Sequence, residues 1–155
     1  MVEMNQQAKL SEHFSLGELT RSKSHPEIYN IPSHVHIENL KRVCVWLEAL
    51  RERYNRRYVL GGSEEPIVIT SGYRSAELNR KVGGVATSNH LTGCAVDIRV
   101  AGKEQLIRYA CILLDYADET KQDFDEILLE HGANGVIWLH FAVRPQGNRR
   151  KINFL

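Results

Sequence analysis

The sequence predicts an α+β domain in which a small, largely antiparallel sheet is flanked by helices. Two observations carry this expectation. Apolar residues recur at helical spacing across two long segments, 36–54 and 103–116. Between and after them lie short β-branched or alternating runs at 67–70, 94–100, 124–130 and 136–143, punctuated by glycine and proline. The chain of 155 residues is 43% apolar and 25% charged, which fits one globular domain over 1–155 with an ordinary core.

Taken in order, residues 1–9 are polar and expected to be loose. Ser15 stands as an N-cap before Leu16, Glu18 and Leu19, giving one short helix. Residues 22–32 form a turn-rich stretch that Pro26 and Pro32 close off. The main amphipathic helix follows, with Ile37, Leu40, Val43, Cys44, Leu47 and Leu50 on one face. His34 and His36 at its start alternate without a nearby third ligand and read as solvated cap residues. Residues 55–65 read as a loop whose arginines form a solvated face.

Pro66 then opens the run Ile67-Val68-Ile69-Thr70, a buried strand. Ser71-Gly72-Tyr73-Arg74 turns out of it, and Ser75 caps a short helix through Val82 that Gly83-Gly84 ends. A loop carries His90, and Gly93 opens the strand 94–100. On that strand Ala95, Asp97 and Arg99 share one face, opposite Val96, Ile98 and Val100. The second long helix turns Leu106, Ile107, Ala110, Leu113 and Leu114 inward. After a polar loop at 118–123, two strands separated by His131-Gly-Ala-Asn-Gly135 read as a hairpin. The tail 144–155 reads as irregular structure.

Composition excludes several classes of function. Twenty basic residues against 19 acidic ones leave a net charge of +1, which gives no support for a nucleic-acid surface. No apolar stretch approaches a membrane span. The N-terminus lacks the basic-then-apolar order of a secretory signal, which fits either a cytoplasmic start or an exported chain whose leader has been removed. Cys44, Cys94 and Cys111 are odd in number without CxxC spacing, and read as three buried thiols.

One constellation carries chemistry. His90, Asp97 seven residues later, and His140 in VIWLHFAV supply two imidazoles and a carboxylate, the donor types of a catalytic zinc site with one position left to water. Singly, each has a plainer reading: a core histidine with a hydrogen bond, or an aspartate paired with Arg99 or Arg74. Residues alone leave an α+β domain with a possible metal site.

The string SGYRS..LN..VGG....S.H..G.A.D, with WLHF further on, resembles the zinc D-Ala-D-Ala carboxypeptidase family, which includes cell-wall carboxypeptidases, dipeptidases and phage L-alanyl-D-glutamate endopeptidases. The opening KLSEHFSLGELTRS is also similar to small bacterial and phage members. The resemblance implies a hedgehog/DD-peptidase-like fold, one zinc ion held by His90, Asp97 and His140, and hydrolysis of peptide bonds in peptidoglycan stem peptides. It implies that Arg74 grips and polarises the substrate, and that Ser88 binds the substrate backbone. The plain alternative for Ser88 is a hydroxyl bonded to its own loop. Gly93 and Ala95 match positions where relatives need small residues near the metal.

Relatives place a carboxylate three residues before the last histidine ligand, as general base; here Ile137 stands there. Glu130, across the hairpin from His140, is the substitute base, with His131 as the weaker candidate. The Ile137 departure keeps a second reading open, a non-catalytic zinc-containing module that binds cell-wall peptides or a protein. A purely structural zinc would need a fourth ligand such as Cys94, which strand alternation turns away from Asp97.

Overall fold

The computed structural model describes residues 3–155. Five strands form one sheet in the order β1-β2-β4-β3-β5: β1 Ile69–Ser71, β2 Ala95–Arg99, β3 Glu126–His131, β4 Ile137–Ala142 and β5 Lys151–Phe154. The pairings β1–β2, β2–β4 and β3–β4 are antiparallel, and β3–β5 is parallel. The sheet is therefore mixed but mostly antiparallel. The helices are α1 Leu16–Thr20, α2 His34–Tyr58, α3 Ala76–Lys81 and α4 Lys103–Thr120.

Strand alternation divides the sheet into two chemically different faces. Val96, Ile98, Ile127, Leu129, Leu139 and Phe141 point to one side, where they join Leu40, Val43, Leu47 and Leu50 of α2 and Leu106, Tyr109, Ile112 and Leu113 of α4 in the core. Trp46, 1% exposed, packs between Tyr116, Phe124 and Phe141 and so joins both long helices to the sheet. The opposite face carries Asp97, His140 and the polar residues of β3. No helix among the described residues is long and apolar enough to cross a membrane.

Several elements extend beyond what periodicity marks. Helix α2 runs to Tyr58, so Arg56 and Arg57 are helical rather than in a loop. Arg56 pairs with Glu52 one turn back, Arg57 with Asp115, and Tyr58 lies under the Arg108 guanidinium. Helix α4 likewise continues through part of the expected polar loop, and ends at Lys121 in the left-handed conformation. Ile107, expected inside, is 53% exposed, while Tyr109 and Ile112 are buried instead. Cys44 and Cys94 are buried, but Cys111 is exposed on α4.

Both ends of the chain are more ordered than their composition suggests. Leu16 and Gly17 donate backbone hydrogen bonds to the Ala8 and Gln6 carbonyls, so the segment expected to be loose is tied to α1; Met1 and Val2 lie outside the described residues. The tail is not irregular: β5 adds to the sheet edge beside β3, and Arg149 and Arg150 anchor it to Asp125, Asp118 and Asp123.

Candidate metal centre

The site lies on the sheet face opposite the core side chains, where β2 and β4 run side by side. Asp97 is directly opposite His140 in this pairing. His90 comes from the 3-10 turn Asn89–Thr92, capped by the Ser88 hydroxyl, which accepts from the His90 N–H. Gly93 ends the turn at φ 77°, and a Cβ there would lie 2.6 Å from the His36 carbonyl oxygen. Gly93 must therefore be small where the turn backs onto α2.

Each imidazole is held by the nitrogen that faces away from the centre. His90 Nδ1–H donates to the Gly72 carbonyl oxygen at 2.8 Å, which leaves the Nε2 lone pair 3.4 Å from Asp97 Oδ1. That Nε2 is buried without a hydrogen-bond partner. His140 Nε2–H donates to Glu126 Oε1 at 2.9 Å, and its Nδ1 lies 3.1 Å from the same Asp97 oxygen. One donor atom from each of His90, Asp97 and His140 lies within 4.8 Å of the others.

Without a metal, protonated His140 bonds Asp97 through Nδ1; once that proton leaves, the His90, Asp97 and His140 donor atoms are placed to hold a cation between them. Burial opposes the Asp97 charge, but the His90 and His140 imidazoles more than offset it and hold the carboxyl well below its usual range. Burial likewise pulls the His140 imidazolium down, and the Asp97 and Glu126 carboxylates overcome it, raising the group to about 9. The donor set of two nitrogens and one oxygen fits zinc, and the Gly72 carbonyl and Glu126 carboxylate that hold the outer nitrogens fix how each ring faces it.

The cleft over the donors has a volume of about 530 Å³. Arg74, Ser88, His90, Asp97, Glu130 and His140, the residues singled out from the sequence, all line it. Arg74 is fixed by three contacts: Nε to Ser71 Oγ at 3.0 Å, Nη1 to Asn79 Oδ1 at 3.2 Å and Nη2 to Asp97 Oδ2 at 3.3 Å. Glu130 pairs in register with Trp138 on β4, one alternation along from His140. Burial raises its carboxyl above the usual range, helped by Asp97 and opposed by His140, the Trp138 indole and His90.

Ile137 falls on the opposite side of β4 and packs against the core, so the cleft receives its carboxylate from β3 instead. His131 alternates away from Glu130, is exposed, and contacts the Leu155 carbonyl oxygen through Nδ1. It does not line the cleft, which removes it as an alternative base. Cys94 is absent from the donor group, the one such group among the described residues.

Sequence reasoning missed Glu126 and the network behind it. Asn89 Nδ2–H bonds both Glu126 Oε1 and Asp125 Oδ2 at 2.7 Å, and fully buried Asp125 is bound by Arg149 through both guanidinium and backbone N–H. Glu126 was findable in principle, since it alternates with Leu128 and Glu130 on the strand that pairs with the one carrying His140. Asn89, Asp125 and Arg149 carry no local signal.

A His-Asp-His donor set with both histidines buried, open to a polar cleft and beside a fixed arginine, is of the kind that could hold a metal ion. The Peptidase M15 family matches residues 12–114, and the chain belongs to that family of zinc peptidases of D-Ala-D-Ala carboxypeptidase type. The match includes Arg74, Ser88, His90 and Asp97, while Glu126, Glu130 and His140 lie beyond it and join them through the sheet. No curated protein matches the chain.

Proposed function

We propose that this protein is a zinc metallopeptidase that hydrolyses peptide bonds in the stem peptides of peptidoglycan, with His90, Asp97 and His140 as the metal ligands. The observation that carries the reading is the buried, unpartnered His90 Nε2 aimed at the Asp97 oxygen that His140 Nδ1 also faces. Zinc, when bound there, supplies a Lewis acid that polarises a carbonyl and lowers the pKa of water to about 7.

The chain's own groups take the remaining roles. Glu130, raised above an ordinary carboxylate by burial, is poised to accept a proton from the attacking water and return it to the departing amine nitrogen. Arg74, held rigid by Ser71, Asn79 and Asp97, presents a permanent charge to a substrate carbonyl or carboxylate oxygen. The Ser88 oxygen already accepts from the His90 N–H, which leaves its O–H to donate to substrate backbone.

The test combines zinc content with release of amino groups from purified peptidoglycan. Wild type is expected to bind one zinc and cut. His140→Ala is expected to lose zinc, and Glu130→Gln to keep zinc while losing roughly 10²–10⁴-fold in rate. Stoichiometric zinc with no cutting by wild type would replace the peptidase reading with a wall-peptide-binding module.

A further inference from the structure

A second concavity of about 330 Å³ adjoins the cleft. It lies between the loop after α1 and the outer side of β1, an edge strand with no strand partner on that side among the described residues. Arg21 and Lys23 stand on one wall, Thr70 and Arg74 on the other, and Tyr73 and Leu78 contribute apolar surface. The two concavities share Arg74 and Val82 as lining residues and so lie side by side, with the metal donors in the larger one.

The charges in this extension are one-sided. Among the described residues, no carboxylate lines it. Arg21 and Lys23 are exposed, and among the described residues neither has a hydrogen-bonded or ion-paired partner for its side chain, whereas most of the other arginines here are paired. The metal end is mixed: Asp97, Glu126 and Glu130 line it together with Arg144 and Arg149, both paired with Asp125, and Lys151. A substrate that fits both ends is an extended chain whose scissile bond lies at the donors and whose carboxylate lies beyond Arg74. Edge strands take up extended peptides through their free backbone groups, which suits the groove beside β1.

We infer that the groove beside β1 is a substrate subsite, in which Arg21 and Lys23 select extended peptides bearing a carboxylate on the far side of Arg74 from the metal donors. The inference rests on the peptidase reading and specifies the chemistry of its substrate. The two cations act on substrate binding and not on bond cleavage. Their effect is one of charge, so salt weakens it over a Debye length of about 10 Å at 0.1 M.

The test measures binding to zinc-loaded Glu130→Gln protein by fluorescence anisotropy at low salt. One probe pair is a labelled stem pentapeptide with free side-chain carboxylates and the same peptide with those carboxylates amidated. A second pair is a set of alanine-rich peptides with one Glu, or one Gln, moved along the chain. In the Glu130→Gln background, Arg21→Ala/Lys23→Ala is expected to weaken the free-carboxylate peptide about tenfold, and Arg21→Glu/Lys23→Glu to weaken it further. The amidated peptide is expected to change less than twofold.

Equal effects on both members of a pair, or no effect on either, would overturn the subsite. If stem peptides fail to bind but a Glu-over-Gln preference exists and disappears in the double variants, the subsite stands and the peptidoglycan reading falls. Both side chains are exposed, and an unchanged thermal melt checks that the variants fold.

Discussion

Replacing Glu126 tests whether the outer shell of the centre sets its metal affinity. His140 is 7% exposed, and its Nε2–H has one partner, Glu126 Oε1 at 2.9 Å. In Glu126→Leu that N–H becomes a buried donor without an acceptor, a cost of about 1–3 kcal/mol. The ring then gains by moving its proton to Nδ1, the atom that faces Asp97, where it competes with the metal. Loss of the acceptor that orients a ligating histidine lowers metal affinity by roughly 10–100-fold. Glu126→Gln keeps an acceptor and removes only the charge, so its loss should be smaller, up to roughly tenfold. Competition with a calibrated zinc chelator reads both, and melting of chelator-treated protein gives each variant's stability without metal. Zinc affinities within twofold of wild type in both variants would refute the reasoning. So would an affinity loss no larger in Leu than in Gln.

Three further outcomes are expected. With metal removed, His140 is raised to about 9 from an ordinary value near 6.5; its charge therefore stabilises the fold fully below pH 6.5, and this contribution is lost as pH rises through about 9. The melting temperature of chelator-treated wild type should fall across that window while zinc affinity rises, and a flat melting profile would contradict the ion pairing drawn here. Asp125 is lowered to about 2 despite its burial by Arg149, Asn89 and Arg144. Its contribution is present above the ordinary carboxylate value and lost as pH falls through about 2, so Asp125→Asn should unfold more easily at pH 7 and show a shallower acid transition. Thiol titration should find one reactive cysteine in the native chain, Cys111, and three after denaturation, since burial pushes Cys44 up to about 12 and also raises Cys94.

What the sequence made legible follows from which interactions are local. The caps at Ser15 and Ser75, the apolar stripe of α2 and the alternation of β2 and β4 lie within short windows, and each appears in the structure. The alternation also put Asp97 and His140 on single faces, although their pairing is a contact between residues 43 apart. The last turn of α2 depends on Asp115 and Arg108 of another helix, and β5 depends on Asp125. Neither partner can be read from the segment it stabilises. Asn89 has the same character, since nothing in SNH foretells that its amide will bridge Asp125 and Glu126.

The pairing of Asp97 with His140 also lets the metal report on strand alignment. A slip of β4 by one residue against β2 would turn His140 toward the helices and Leu139 toward the cleft, because side chains alternate with a period of two. A chain misaligned in this way would therefore lack a complete donor set. Zinc would stabilise only the correctly registered sheet, so the ion that equips the site for hydrolysis would also act as a proofreader of folding.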